Sequence, residues 1–211
     1  MNRVNFDRLA APYEWLERLT FGPFLHRCRT ALLDELKASR SILILGDGDG
    51  RFLRELLLAN PSARIDSLDI SPAMVKLASN RTASERVRFR IEDARFAAFE
   101  AERYDAIVTN FFLDCFQDGE LNRLVAKLAP ALQPGGRWIV GDFRELNGSI
   151  SGPLSKFLLA GMYLFFRVAA RIPASRLVDP DPILQSNGLE PIRRKESLGG
   201  FLAATHWLKP D

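Results

Sequence analysis

The chain is poor in cysteine and histidine, with two of each among 211 residues. Cys28 and Cys115 stand far apart, in no CxxC pair and no Cys/His cluster. That excludes a disulfide framework and a cysteine zinc site. No metal is expected, and the usage suits a reducing, cytoplasmic setting. Long hydrophobic runs are missing as well. The longest uncharged apolar stretch, Phe157 to Phe166, is ten residues between Lys156 and Arg167, whereas a membrane-spanning helix needs about 20. The opening residues, Met1-Asn2-Arg3-Val4-Asn5-Phe6-Asp7, hold no apolar signal core. Charge of one sign is also lacking: 29 basic against 26 acidic side chains, a net of +3, makes no case for nucleic-acid binding. What is present is a globular composition, 47% hydrophobic and 26% charged, in a length that suits one domain with a sizeable core.

Apolar β-type runs alternate with helical patterns along most of the chain. Ser41-Ile42-Leu43-Ile44-Leu45 is a continuous apolar run ending at Gly46 and reads as a buried parallel strand. Arg51 to Asn60 follows with Phe52, Leu53, Leu56 and Leu57 at helical spacing, stopped by Asn60-Pro61. Ala63 to Leu68 alternates and ends at Asp69. Ser71-Pro72 opens the next helix, with Ser71 as N-cap and proline at the first helical position. Val87 to Ile91 and Tyr104 to Thr109 read as the third and fourth strands. Glu120 to Leu132 reads as an amphipathic helix ended by Pro134-Gly135-Gly136, and Arg137 to Asp142 as the fifth strand. Such alternation calls for a parallel sheet with helices on both faces. The runs Glu190 to Leu198 and Phe201 to Leu208, joined by Gly199-Gly200, read as a hairpin closing one sheet edge. Residues 1–40 look helical, with Leu16, Leu19, Phe24, Leu25, Leu32, Leu33 and Leu36 as the apolar positions. Pro173 to Pro182 reads as a proline-rich loop.

The turn after the first strand reads Gly46-Asp47-Gly48-Asp49-Gly50-Arg51. Glycines there let the backbone turn tightly and approach a ligand closely. A dinucleotide fingerprint, G-x-G-x-x-G, would need its third glycine at the position Arg51 holds. It would also place a pyrophosphate before Asp47 and Asp49. Each unscreened carboxylate–phosphate contact near 4 Å costs on the order of 4 kcal/mol at an effective dielectric of 20. A cationic ligand without phosphate reverses that sign.

With these residues the chain resembles the class I S-adenosylmethionine-dependent methyltransferases, loosely those of quinone biosynthesis. Ile42 to Gly50 is similar to their first motif and Ile65 to Met74 to the second. Val87 to Ala94 is similar to the third, Tyr104 to Phe112 to the fourth, and Leu128 to Gly136 to the segment before the fifth strand. The resemblance implies an α/β, Rossmann-like sheet of seven strands in the order 3-2-1-4-5-7-6, strand 7 antiparallel. It implies S-adenosylmethionine as cofactor, cradled by Gly46, Asp47, Gly48 and Gly50. Asp69 would take the ribose hydroxyls, beside Ile70 and Met74. Asp93 and Ala94 would hold the adenine, with Asn110 and Phe111 near the methyl group. Phe6 to Tyr13 is similar to the entry segment of such enzymes, which places Tyr13 over the cofactor. The family often carries an acid two residues before the first glycine, where this chain has Ile44.

Methyl transfer from a sulfonium is chiefly a matter of positioning, and a base is needed only where the nucleophile must lose a proton. Asp142 after the fifth strand and Asp114 after the fourth are the expected catalytic or acceptor-contacting groups. They fall at the carboxyl edge, where ligands bind in open α/β sheets. His206, beside Trp207, reads as a packed histidine. The run Leu154 to Ile172 is apolar all round, and residues 151–176 hold Lys156, Arg167, Arg171 and Arg176 without an acid. It reads as a lid over an apolar acceptor, as a dimer face, or as a membrane-surface contact. The expected organisation is a single domain: a helical entry segment 1–40, a cofactor-binding core 41–145, a lid-like helix and loop 146–185, and a hairpin 186–211. The expected function is methyl transfer to a small, apolar or aromatic acceptor, by a monomer or homodimer. The alternatives are a non-catalytic S-adenosylmethionine-binding protein and an NAD(P)-dependent oxidoreductase.

Overall fold

A computed structural model describes residues 22–144 and 178–211. Tyr13, Leu16, Leu19 and the Leu154–Ile172 run lie outside the described residues. The strands are β1 (Ser41–Leu45), β2 (Arg64–Asp69), β3 (Val87–Ile91), β4 (Tyr104–Asn110), β5 (Leu132–Phe143), β6 (Glu190–Ser197) and β7 (Leu202–Leu208). They form one sheet in the order β3-β2-β1-β4-β5-β7-β6. The first five run parallel, joined by crossovers; β7 runs antiparallel to both β5 and β6. The expected order, the antiparallel seventh strand and the terminal hairpin are all present.

Period-two alternation sorts the strand side chains into two layers. Ile42 and Ile44 of β1, with Ala106 and Val108 of β4, face one cluster. That cluster contains Phe52, Leu53, Leu56 and Leu57 of the helix Arg51–Ala59 and Leu25 and Cys28 of the helix Gly22–Thr30. Leu43, Leu45 and Ile107 face the other. There the helix Asp118–Leu128 supplies Leu121, Leu124, Val125 and Leu128, and the short helix Asp181–Ser186 supplies Ile183 and Leu184. With both faces covered, β1 is apolar and buried from Ile42 to Leu45, which is why it reads as a continuous run. Trp138 and Trp207 are fully buried and directly opposed across β5 and β7. The Trp138 indole N–H donates to Thr109 Oγ1 at 2.9 Å. The outer strand β6 is exposed and charged, with Pro191 at its register shift. Those features blunt an edge that would otherwise pair with another chain.

Three boundaries differ from expectation. The helix expected over Glu120–Leu132 runs Asp118–Leu128 and tightens into a 3-10 turn, Ala129–Ala131, around Pro130. Pro134-Gly135-Gly136 is not its stop. β5 begins at Leu132, and the register with β4 shifts between Tyr104 and Ala106 while these residues pass. The described part of the entry segment is helical over Gly22–Thr30 and forms a 3-10 turn at Leu33–Leu36. Phe24, expected to pack inward, is 40% exposed. The loop expected to reach Pro182 gives way to helix at Asp181.

Asn60, fully buried, ties these pieces together. Its Nδ2 donates to the carbonyls of Leu36 (2.8 Å) and Ser39 (2.7 Å). Its Oδ1 accepts from the Ser62 and Ala63 amides and the Ser62 hydroxyl. The entry segment is thereby fastened to the end of the helix Arg51–Ala59. Asn60→Ala strands several of these groups at about 1–3 kcal/mol each. It should lower the urea midpoint by the equivalent of at least about 3 kcal/mol with the slope unchanged.

Candidate active site

The strand order reverses between β1 and β4, and the crevice at their carboxyl ends is where an open α/β sheet binds ligands. The loop out of β1 supplies its floor. Gly46, Gly48 and Gly50 adopt φ of +69°, +66° and +82°, the left-handed region that side chains disfavour. Two of them also make close contacts. A Cβ on Gly46 would lie 2.4 Å from a ring carbon of Phe112, and one on Gly50 would lie 2.6 Å from the Ala78 Cα. A Cβ on Gly48 would meet nothing within 4 Å. Gly46 and Gly50 therefore serve packing, and Gly48 is the point where the loop leaves room for something else. Ile44, where the family often carries an acid, is buried in the apolar core.

The two loop aspartates do not act as a pair facing a ligand, as the sequence suggested. Asp49, 5% exposed, is taken up by Arg51 Nε at 3.1 Å and Arg81 at 3.2 Å. The Asp47 carboxylate turns back to accept from the Leu53 amide at 3.3 Å, within the first turn of the helix. Burial, with Asp49 and Asp69 nearby, pushes its pKa up to about 7 against the pull of Arg29 and that amide. Asp69 ends β2. Its Oδ2 accepts from the Gly48 amide (3.3 Å) and its Oδ1 from the Ser71 amide (2.9 Å), so two main-chain donors fix its orientation. Ser71 in turn caps the helix Pro72–Thr82, accepting from the Met74 amide at 3.2 Å. Ile70 is half-buried and Met74 buried. Beyond β3, Asp93 is gripped by Arg95, whose Nε and NH2 reach its two oxygens at 2.6–3.1 Å. Burial opposes ionisation, but those hydrogen bonds outweigh it and hold Asp93 below the usual carboxylate range. Ala94 beside it is buried.

On the other side of the switch point, Asn110 ends β4 with 6% exposure, opposite Gly141 of β5. Neither of its amide atoms has a hydrogen-bond partner among the described residues. A buried carboxamide left this way is unusual and points to a missing partner. Phe111 follows in the left-handed region, φ +53°, with its amide bonded to the Gly141 carbonyl at 2.6 Å. Phe111 and Phe112 do not line one pocket. The Phe111 ring packs on Phe143 (4.9 Å between centroids) in the layer of the entry helix, whereas Phe112 lies beneath Gly46 against Phe116 in the other. The strained turn between them sends successive rings to opposite faces.

Asp142 and Asp114 meet at the ends of β5 and β4. Asp142, 5% exposed, accepts from the Phe143 amide at 2.9 Å. Burial, and then the neighbouring Asp114, push it well above the usual carboxylate range. Burial raises Asp114 to about 6, and its Oδ1 lies 3.6 Å from the Cys115 thiol. His206 stands apart. It faces Glu35 at 3.6 Å, near Arg137 and Arg193. It is paired along β7 with Ile139, three residues before Asp142 on β5, and is a packed histidine as expected. Arg29 was not singled out from the sequence. It is 9% exposed, and its guanidinium lies 5.1 Å from the centroid of the Phe111 ring. The available signal was its spacing, since Leu25, Arg29, Leu32 and Leu36 place a charge on the apolar stripe of the entry segment.

Residues 42–136 match the family described as "Methyltransferase domain". The demethylmenaquinone methyltransferase of Thermus thermophilus is 32% identical over 142 residues, 65% of this chain and 64% of that one. The malonyl-[acyl-carrier protein] O-methyltransferase of Acetivibrio thermocellus is 30% identical over 132 residues, 60% of this chain and 44% of that one. The chain thus spans about half to two thirds of the length of these relatives. The N-methyltransferase NodS of Bradyrhizobium japonicum, solved with S-adenosyl-L-homocysteine, superposes with a TM-score of 0.65 at 20% identity, over 89% of this chain and 88% of that one. Residues 42–136 are thus similar to a methyltransferase domain, and the sheet order is the one the motifs implied.

The glycine contacts predict a contrast. Gly50→Ala combines left-handed strain with overlap on the Ala78 backbone and should cost about 2–4 kcal/mol in urea unfolding. Gly48→Ala meets open space and should cost only about 1–2 kcal/mol from the backbone conformation.

Proposed function

We propose that the protein transfers a methyl group from S-adenosylmethionine to a small acceptor. The observation that carries this reading is the cradle itself: an open left-handed Gly48 whose amide is bonded to Asp69, and, at the end of the neighbouring strand β4, a buried Asn110 with no partner among the described residues. The residues present fit the cofactor. Asp69, oriented by two main-chain amides, is set to accept from the vicinal ribose hydroxyls. Asp93 and the Ala94 backbone are set to hold the adenine amino edge, with Arg95 keeping Asp93 ionised. Gly46, Asp47, Gly48 and Gly50 form the floor, Ile70 and Met74 flank the adenosine, and Asn110 and Phe111 border the methyl-bearing end. Tyr13, from the entry segment, is proposed to cover it. When bound, S-adenosylmethionine supplies an electrophilic methyl on a sulfonium. The relatives' names, and the S-adenosyl-L-homocysteine bound in the NodS structure, support the assignment.

This chain's own residues supply the remainder. Asp142 and Asp114 are the groups placed to take a proton from a hydroxyl or amine acceptor. Crowding of the two carboxyls keeps a proton on the pair until it is drawn away, so the pair both holds and moves protons. The aromatic series Phe111–Phe143–Phe201, with centroids 4.9 and 5.6 Å apart, supports an apolar or aromatic acceptor. The Thermus relative's named acceptor, demethylmenaquinone, agrees with that choice. A single domain acting as monomer or homodimer in the cytoplasm is the accompanying reading. Among the described residues no helix is long and apolar enough to cross a membrane.

Two measurements test the proposal. Calorimetry should detect S-adenosylhomocysteine and not NAD, and Asp69→Ala should weaken the former by about 1.5–3 kcal/mol, the scale of hydrogen bonds to a charged group. Tighter binding of NAD, or equal affinity of mutant and wild type, would sink the assignment. The second uses Asp47. Its pKa is raised on folding, so the stability it contributes is complete below the ordinary carboxylate range and is lost as pH climbs through about 7. A nearby sulfonium favours the ionised form. S-adenosylmethionine should therefore bind more tightly as pH rises toward about 7 and release up to one proton below it. Calorimetry in buffers of different ionisation enthalpy reads that proton directly, and Asp47→Asn should abolish its release.

A further inference from the structure

We propose that Arg95 is a positioning residue that fixes Asp93 as an acceptor-only group and so sets the preference for a 6-aminopurine over a 6-oxopurine nucleoside, an inference that rests on the methyl-transfer reading above. One carboxylate takes most of the donors Arg95 has. Its Nε lies 3.0 Å from Oδ1 and 3.1 Å from Oδ2 of Asp93, its Nη2 lies 2.6 Å from Oδ2, and its amide lies 3.0 Å from Oδ1. The remaining nitrogen, Nη1, donates to Glu120 Oε1 at 3.2 Å, in the first turn of the helix Asp118–Leu128. The same helix holds the loop by its backbone. Lys127 Nζ donates to the carbonyls of Arg95 (2.7 Å) and Ala97 (2.9 Å). The Asp93 carbonyl closes the turn by accepting from the Phe96 and Ala97 amides, both at 2.9 Å. The Arg95 and Asp93 side chains are 26% and 19% exposed. An ion pair between mobile surface side chains contributes little. This arginine is instead anchored through its guanidinium, its amide and its carbonyl.

An ionised carboxyl only accepts hydrogen bonds, whereas a protonated one gains a donor. Ionised Asp93 accepts from an exocyclic amino group and repels a 6-oxo group, whose oxygen brings only lone pairs. A protonated Asp93 would donate to that oxygen, and the distinction would fade. Arg95 from its own loop, and Lys127 and Glu120 from the helix packed against it, are the charges that bear on the choice. Burial favours the neutral acid. The hydrogen bonds and charge of Arg95, with Lys127 beyond them, outweigh it and hold Asp93 below the usual carboxylate range. Glu120 shares the guanidinium, which reinforces the charged form of Arg95. A forked guanidinium fixes direction as well as charge. It occupies one edge of the carboxylate, and the acceptor capacity left open lies away from it. A neutral, unbranched side chain at this position keeps neither property.

S-adenosylhomocysteine and S-inosylhomocysteine differ only at the amino edge of the purine, so the ratio of their affinities isolates the contact. Calorimetry on the wild-type protein should favour the first by about 10- to 100-fold, with a ratio constant from about pH 8 to about pH 5. In Arg95→Met the ratio should fall at least about fivefold at about pH 8 and shrink further toward about pH 5, as Asp93 takes up a proton. Arg95→Lys keeps a charge without the planar fork. It should restore the flat pH profile and only part of the ratio. Both ligands are measured on one preparation, so a loss of folded protein leaves the ratio unmoved. An Arg95→Met ratio equal to that of the wild type, or lowered alike at every pH, would overturn the role of Arg95. Wild-type protein that binds both ligands alike would overturn it together with the role given to Asp93. In each of these cases S-adenosylhomocysteine still binds, and the methyl-transfer reading stands. Wild-type protein that binds neither would overturn both.

Discussion

Five carboxylates, Asp47, Asp49, Asp69, Asp114 and Asp142, gather at the carboxyl ends of four adjacent strands, and the rest of the site is organised around keeping them there. Uncompensated, like charges in a half-dry crevice repel by several kcal/mol per pair at short range. The fold meets this in three ways. Asp49 is neutralised by Arg51 and Arg81. Asp69 is stabilised by main-chain amides, which carry no counter-charge of their own. Asp47, Asp114 and Asp142 are pushed toward keeping a proton. A crevice whose buried carboxyls already tend to keep a proton is suited to a cationic ligand, and poorly suited to a pyrophosphate.

The glycines of the loop divide the labour that makes this arrangement possible. Gly50 brings the helix Pro72–Thr82 against the loop through Ala78, and with it Arg81 to Asp49. Gly46 seats the loop on Phe112. Those two contacts hold the segment, so that Gly48 can present its amide to Asp69 and leave its outer side open. Packing at the two ends of the loop is thus what makes the middle available, and the helix that follows begins within one residue of the last glycine.

Much of this was legible in the sequence because its causes are local. β3 spans Val87–Ile91 as its alternation predicts, and Ser71-Pro72 caps and opens a helix as those residue types should. The hairpin Glu190–Leu208 follows from two runs and a Gly-Gly turn. What was not legible depends on contacts distant in sequence. That Asp49 is claimed by Arg81, 32 residues on, cannot be read from a loop that spells two aspartates between glycines. The opposite facing of Phe111 and Phe112 follows from a single positive φ, set by the bond to Gly141. Pro134-Gly135-Gly136 looked like a helix stop because prolines and glycines usually are. Here Pro130 had already ended the helix, and the later residues carry the first part of a long strand.

The stretch that matches the methyltransferase family, residues 42–136, holds Asp69, Asp93 and Asn110 but neither Arg29 nor Asp142. The division has a structural logic. A sheet edge that grips one nucleoside needs only β1 to β4 and their loops. The entry helix, the end of β5 and the start of β7 meet in the contacts of Phe111, Phe143 and Phe201, and on the proposed reading they would form the acceptor side. Those segments pack on the shared core through apolar contacts, and apolar contacts tolerate exchange of one side chain for another of similar volume. On that reading, the acceptor side can be remodelled without disturbing the carboxylates Asp69 and Asp93, which are held by Gly48, Ser71 and Arg95. On the proposed methyl-transfer reading, acceptor specificity would be set in the flanks, with Asp142 as a charged position where β5 reaches the crevice.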